Sequence, residues 1–300
     1  ALRGPVGAAL TGASLVGAMI GAWPYAVTAV VIGVIVLAAS APIGFRRRRN
    51  PAPSPGVTLT TANVLLHNRR FRELAQRLLA DDADVLLLQE VTPAHAAVLR
   101  DLVERRTDLH FLVEPRDDYA GWATVSRHPV RGQGRIDVPG WPISWVVIDH
   151  PVTPIRVVNV HTAAPRTADD QATWATQLAT LAGFADRSVP TVLAGDFNAT
   201  VDHRSFRRLL DAGFTDAFDR VGQGWGATWP AQQFAVPMLR LDHVLVDGGL
   251  GVAGLDSFGL VGSDHRGLRA VLRPHPGECL CGAHGGSTRS DVERSSCRPL

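Results

Sequence analysis

Hydrophobic positions run without a charged side chain from Gly4 to Phe45, then fall into short blocks separated by polar residues from Val57 to Leu272. A membrane-spanning helix takes about 20 apolar residues, so the first stretch holds roughly two. Trp23-Pro24-Tyr25 divides it, because proline disfavours helical geometry just before it and aromatic rings suit a membrane interface. The pattern predicts a transmembrane hairpin within residues 1–49, with helices over 5–22 and 25–45. Gly7, Gly12, Gly17 and Gly21 in the first helix permit close packing against the second. A signal peptide is the competing reading, with Ala38-Ala39-Ser40-Ala41 resembling a cleavage site, but the uncharged stretch is too long for one. The chain opens on Ala1 and not on Met, so an upstream segment is expected.

Residues 50–56 carry Pro51, Pro53 and Pro55 and read as a stiff linker. Beyond it, strands and helices alternate. Strands are predicted at Val57–Ala62, Val85–Leu88, His110–Val113, Gly121–Val125, Ser144–Ile148, Ile155–Val160, Thr191–Ala194, His243–Val246 and Leu268–Leu272. Phe71, Leu74, Ala75, Leu78 and Leu79 share one helical face. Thr92-Pro93 starts a second helix as cap and first helical residue. Two more are predicted at Asp169–Phe184 and His203–Ala212, the latter closed by Gly213. Residues 57–273 are long enough for a large core. Residues 274–300 turn to Gly, Ser, Pro, Cys and charge and are predicted disordered.

Charge and cysteine narrow the class. The 30 basic side chains, all arginine, nearly balance 28 acids, leaving a net charge of +2. That excludes a strongly basic protein that coats nucleic acid. The 3 cysteines lie in the tail, so no disulfide framework holds the fold. His275, Cys279, Cys281 and His284 have a spacing poorly suited to structural zinc. Trp122, Trp141, Trp145, Trp225 and Trp229 fall in or near predicted loops, as packing anchors or as faces for bases or lipid. Arg69, Arg70 and Arg72 read as a solvated helix face. The run Arg46–Arg49 would stay cytoplasmic by the positive-inside rule and place the following domain inside.

The ends of the apolar strands carry the candidate chemistry. Asn63 follows the first strand, Gln89-Glu90 the second, and Asn159 and His161 close Ile155–Val160. Gly195-Asp196-Phe197-Asn198 follows Thr191–Ala194, Asp242-His243 opens a strand, and Ser263-Asp264-His265 precedes the last. No Ser or Cys nucleophile stands in an elbow; the set suits a hard divalent cation with water. Glu90, Asn63 and Asp264 offer oxygen ligands for Mg²⁺, with Mn²⁺ as a possible substitute. Asp196 can orient and deprotonate the attacking water. Asn198, His161 and His265 can donate to phosphoryl oxygens, and Asp242 can hold His265 in the right tautomer. Taken singly, Asn63 fits a turn, Glu90 a solvated carboxylate and His161 a hydrogen-bonded core histidine; the ordered set is the specific signal.

That ordered set resembles the endonuclease/exonuclease/phosphatase family with its DNase I-like fold. The resemblance is carried by Thr61-Ala62-Asn63, Leu88-Gln89-Glu90, Asn159-Val160-His161, Gly195-Asp196-Phe197-Asn198, Leu241-Asp242-His243-Val244 and Gly262-Ser263-Asp264-His265. It implies a four-layer α/β sandwich, two mixed sheets face to face with helices outside, and Mg²⁺-dependent cleavage of phosphate esters. It places the metal on Asn63, Glu90 and Asp264, water activation on Asp196, phosphate binding on Asn198, His161 and His265, and histidine orientation on Asp242. Thr228-Trp229-Pro230 with Leu241–Asp247 is similar to a bacterial, actinobacterial, membrane-anchored branch, which implies a catalytic domain outside the cytoplasm. That expectation is set above the opposing signal of the arginine run. The stretch Leu239-Arg240-Leu241-Asp242 departs from the Trp-Cys-Asp-Arg of inositol polyphosphate phosphatases, and the aromatic-Arg positions of damaged-DNA nucleases are not evident.

The leading expectation is therefore a membrane-anchored phosphodiesterase acting on nucleic acid. A diesterase acting on phospholipid or sphingomyelin headgroups, or an inositol phosphate phosphatase, is the alternative within that chemistry. A non-catalytic tethered binding module is the alternative of another class, and the filled catalytic positions argue against it. No protein partner is implied.

Overall fold

The structure is a computed structural model that describes residues 27–31, 56–104, 106–185, 188–221, 226–231 and 237–275. The expected hairpin, apart from a helical stretch at 27–31, lies outside the described residues, as do the linker up to Pro55, Trp225 and the tail beyond His275. Among the described residues no helix is long and apolar enough to cross a membrane.

Among the described residues two sheets of six strands face each other. The first has the order β11-β12-β1-β2-β4-β3, from Leu250–Gly259 (β11), Arg266–Pro274 (β12), Val57–Asn63 (β1), Val85–Gln89 (β2), Trp122–Ser126 (β4) and His110–Glu114 (β3). The second has the order β5-β6-β7-β8-β10-β9, from Val130–Ile136 (β5), Ile143–Ile148 (β6), Ile155–His161 (β7), Thr191–Asp196 (β8), Asp242–Val246 (β10) and Thr215–Asp216 (β9). Each sheet is mixed. Its one parallel pair, β1/β2 or β7/β8, is joined by a helical crossover, Phe71–Ala80 (α1) or Ala168–Ala182 (α3). Pro93–Val103 (α2), Arg204–Asp211 (α4) and the short Ala217–Val221 (α5) complete the helices described.

Three apolar clusters separate four layers. Val57, Leu59, Val85 and Leu87 of the first sheet meet Val146, Ile148, Val157, Val192 and Val244 of the second. α1 and α2 cover the outer face of the first sheet through Phe71, Leu74, Leu78 and Leu99. α3 and α4 cover the second through Trp174, Leu178, Phe206 and Leu209. This is the expected α/β sandwich.

Helix starts match the sequence signals. Thr92 caps α2 with its side chain on His95 N–H and Pro93 as first helical residue. Thr167 caps α3 in a reciprocal box with Asp170. Two long strands have no counterpart in the expectation: β5 (VRGQGRI) and β11 (LGVAGLDSFG) are rich in glycine and polar residues. Both are edge strands, half solvated, where the ladder to a neighbour replaces a strong apolar pattern.

Most strands run further than expected, and at one edge the added residues include the candidate site residues. Asn63, Gln89, His161 and Asp196 are the last residues of β1, β2, β7 and β8, and Asp242 is the first of β10. The register places Asn63 beside Gln89 and His161 beside Asp196, with Asp242 on the far side of Asp196. Parallel strands end at one edge, so this edge collects functional groups from both sheets.

A polar bolt joins the sheets below that edge. Asn159 of β7 donates to the carbonyls of Leu88 (3.2 Å) and Ala123 (3.0 Å) and accepts from Gln89 Nε2 (2.7 Å). Gly195 supplies the close approach that brings Asp196 to the edge. Its φ is +146°, and a Cβ there would lie 1.9 Å from the Val160 carbonyl oxygen. Gly195→Ala should therefore cost about 3 kcal/mol or more by thermal denaturation, combining backbone strain with a clash on rigid main chain. A change within about 0.5 kcal/mol would contradict this packing.

Candidate active site

Asn63 stands at the junction of the two sheets. Its Nδ2 donates to Glu90 Oε1 at 2.9 Å and to Asp196 Oδ2 at 3.0 Å. The amide oxygen, expected to face a cation, instead accepts from Leu65 N–H at 3.1 Å. In this orientation Asn63 aligns two carboxylates. Leu66 N–H holds the other Glu90 oxygen at 2.7 Å. Asn198 N–H holds Asp196 Oδ1 at 2.8 Å, and Asn198 Nδ2 is anchored on the Thr162 carbonyl.

Two imidazoles face these acids. His161 Nε2 lies 3.9 Å from Glu90 Oε1 and 3.8 Å from Asp196 Oδ2. His265 Nε2 lies 3.7 Å from the same Asp196 oxygen, and its Nδ1 meets Asp242 Oδ2 at 2.8 Å. Burial works against a charged His265, but Asp242 and Asp196 outweigh it and push its pKa from 6.5 up to about 10. The paired Asp242 carboxylate fixes the Nδ1 hydrogen, so Nε2 points at the cleft.

Backbone strain concentrates here. Leu65, Glu90 and Asn198 have φ of +66°, +62° and +45°. Such conformations cost about 1–3 kcal/mol each for side chains other than glycine, and persist where the surrounding structure over-determines them. At Glu90 and Asn198 that conformation accompanies the turn of the chain from strand end into the edge loop.

Asp264 is placed by a residue whose role the sequence pattern did not show. Trp229 Nε1 donates to Asp264 Oδ2 at 3.1 Å, and Ser263 Oγ donates to the Asn63 carbonyl at 2.7 Å. The loop before β12 is thereby tied to the end of β1. Trp141 is the second such residue: its Nε1 donates to the His161 carbonyl at 2.8 Å and its ring centre lies 5.6 Å from the imidazole. Thr228 is the third, its hydroxyl accepting from Leu241 and Asp242 N–H at 3.1 and 3.2 Å. Each stands out in sequence only as a Trp or Thr beside a loop; the partner it holds is distant in the chain. Trp122 opens β4 and Trp145 lies in β6, both within strands the sequence predicts. Arg70 and Arg72 pair with Glu73 and Asp101 on the surface.

The set therefore brings together Asn63, Glu90, Asp196, His161, His265, Asp242 and the Asn198 backbone, with Asp264 next to His265. Glu90, Asp196 and Asp242 are all buried. One carboxylate oxygen from each of Asp196 and Asp242 and a ring nitrogen of His265 lie within 4.8 Å of one another. His161 Nδ1 and Asp242 Oδ1 are buried with no hydrogen-bond partner. Glu90 and Asp196, two buried carboxylates on one amide, carry negative charge that a divalent cation would offset.

A model of the endonuclease/exonuclease/phosphatase family matches residues 60–265, a span containing every residue of this cluster. No curated protein matches the sequence. Solved structures with the same fold include the 3′ phosphatase NExo from Neisseria bound to a product DNA hairpin, with 23% identity over 71% of this chain and 98% of that one and a TM-score of 0.58. A humanised TDP2 from D. rerio is similar at 18% identity over 73% of this chain and all of that one, with a TM-score of 0.60. A mannosyl-6-phosphatase from Bacteroides thetaiotaomicron shares 17% identity over 72% of this chain and 99% of that one, with a TM-score of 0.58.

The Asp242–His265 pair couples stability to pH. A pKa raised from 6.5 to about 10 contributes stability that is fully present below pH 6.5 and is lost as pH rises through 10. Denaturant titrations of the wild type and His265→Gln should thus show a gap that narrows steadily between those pH values. A gap constant over that range would contradict the Asp242–His265 pairing.

Proposed function

This chain belongs to the endonuclease/exonuclease/phosphatase family, and from that premise we propose that it is a Mg²⁺-dependent phosphodiesterase whose substrate is nucleic acid. As a member of that family it is a hydrolase of phosphate esters. The observation that carries the finer reading is the convergence of Glu90, Asp196 and the Asp242–His265 pair around the Asn63 amide.

Glu90 and Asp264 would hold the cation, with Asn63 setting the Glu90 carboxylate. A bound divalent ion neutralises phosphate charge and stabilises the leaving oxygen. Asp196 Oδ2 receives a proton from the attacking water, whose oxygen forms the new bond to phosphorus as the ester P–O bond breaks and the departing oxygen takes a proton from solvent. Asn198 N–H on Oδ1 keeps that carboxylate aimed. His265 Nε2, held protonated by Asp242, and His161 Nε2 donate to the phosphoryl oxygens as charge develops on them; one such donor is worth about 3 kcal/mol of barrier.

Nucleic acid is favoured over other phosphate esters by the aromatic face beside His161. Trp141 stands half-buried there, its ring centre 5.6 Å from the imidazole. Such a face suits a stacked base. The neighbour NExo carries a DNA hairpin. A second reading, hydrolysis of a phospholipid headgroup, is favoured by the uncharged stretch Gly4–Phe45, which would hold the domain at a membrane, on its extracytoplasmic side.

Purified protein given plasmid DNA, 3′-phosphorylated oligonucleotides, RNA, sphingomyelin liposomes and inositol phosphates should cleave nucleic acid with Mg²⁺ or Mn²⁺ and stop on chelation. Asp196→Asn should lower kcat by about 10²–10⁴-fold. Preferential headgroup release would support the second reading. Inactivity on every ester, or full activity of Asp196→Asn, would refute both.

A further inference from the structure

His243 follows Asp242 in β10, so its side chain leaves the opposite face of the strand. Two acid–imidazole pairs therefore flank one strand. Asp242–His265 faces the cleft at 2.8 Å, and Asp216–His243 faces the helical layer at 2.8 Å. The second pair takes no part in the chemistry above. Both members are 1% exposed. The ring sits between Phe206, 4.4 Å away, and the edge of Phe197, 5.6 Å away.

Such apolar surroundings penalise an imidazole unless its nitrogens are satisfied. They are satisfied by acceptors alone. Nδ1 faces Asp216 Oδ2, while Nε2 faces the carbonyl oxygens of Ala199 at 3.0 Å and Arg240 at 3.2 Å. A ring with hydrogen on both nitrogens meets all three. Arg240 brings its guanidinium 3.2 Å from the same Asp216 oxygen and stacks 4.2 Å over Phe218. Burial of Asp216 opposes its ionisation, but Arg240 and then His243 prevail and hold its carboxyl below the usual range.

The two carbonyls under Nε2 belong to different segments. Ala199 follows Asn198, whose strained turn aims the Asp196 carboxylate; Arg240 lies just before Leu241-Asp242. We propose that His243 is a positioning residue, a buried clasp whose Nε2–H holds the Asn198 turn and the approach to Asp242 in fixed relation, so that the water-activating acid and the histidine-orienting acid keep their spacing. The inference rests on the reading of the cleft as a phosphoesterase site.

His243→Phe keeps the ring packing and removes both donors. At a temperature well below both melting points, its kcat on the best nucleic-acid substrate should fall about 10–100-fold, as outer supporting groups do, with KM changed less than about threefold. His243→Gln, which retains one donor, should recover part of the loss. Combined with Asn198→Ala, His243→Phe should add little further, because both loosen one turn. Independently of activity, amide exchange at Asn198 and Ala199 should be faster in His243→Phe than in wild type.

Folded His243→Phe with kcat within about twofold of wild type, unchanged exchange at those amides, or a loss fully additive with Asn198→Ala would overturn the proposal. If His243→Phe does not fold, Asp216→Leu, which removes the acceptor from Nδ1, carries the same expectations. A wild type inert on all phosphate esters would instead overturn the functional reading, and the exchange measurement would still decide the clasp.

Discussion

Two carboxylates buried against each other share the hydrogens of a single amide, Asn63 Nδ2, and the rest of the site is arranged around that fact. Glu90 directly follows β2 of the first sheet, and Asp196 ends β8 of the second. Uncompensated, two such charges repel and would rather be hydrated. They are held by Asn63 between them, Leu66 N–H on one side, Asn198 N–H on the other and the protonated His265 beyond. The remaining negative charge is what a divalent ion would offset in the proposed chemistry.

The sandwich supplies the rigidity this arrangement needs. Parallel pairs β1/β2 and β7/β8 end at one edge, and the Asn159 bolt locks their relative height a residue or two below it. The three unfavourable backbone conformations at Leu65, Glu90 and Asn198 are offset by that packing. On β10 one strand serves both faces: Asp242 orients His265 toward the cleft, while His243 braces the helical side. Precision at the cleft thus depends on residues that never touch a substrate.

Much of this is legible in the amino-acid sequence alone. Apolar blocks such as Val85–Leu88 and Thr191–Ala194 mark buried strands because both faces are covered, and Asn63, Glu90, Asp196 and His265 stand out as polar residues interrupting apolar runs. The glycine-rich edges β5 and β11 were not legible, since a half-solvated edge leaves no strong period. Strand ends were drawn short for a related reason. A polar residue reads as the end of a strand, yet Asn63, His161 and Asp196 still lie in the ladder. The supporting contacts of Trp141, Trp229, Thr228 and His243 join residues far apart in sequence, or opposite faces of one strand, and neither leaves a local pattern.

Glu90, with Asp264, is the proposed cation site, and Asp196 lies beside it on the Asn63 amide. Calorimetric titration of the protein with Mn²⁺ measures this without reference to any substrate. The predicted result is saturable binding in the wild type that is lost or greatly weakened in Glu90→Gln, with both proteins equally folded. Absence of saturable binding in the wild type, or undiminished binding in Glu90→Gln, would contradict it.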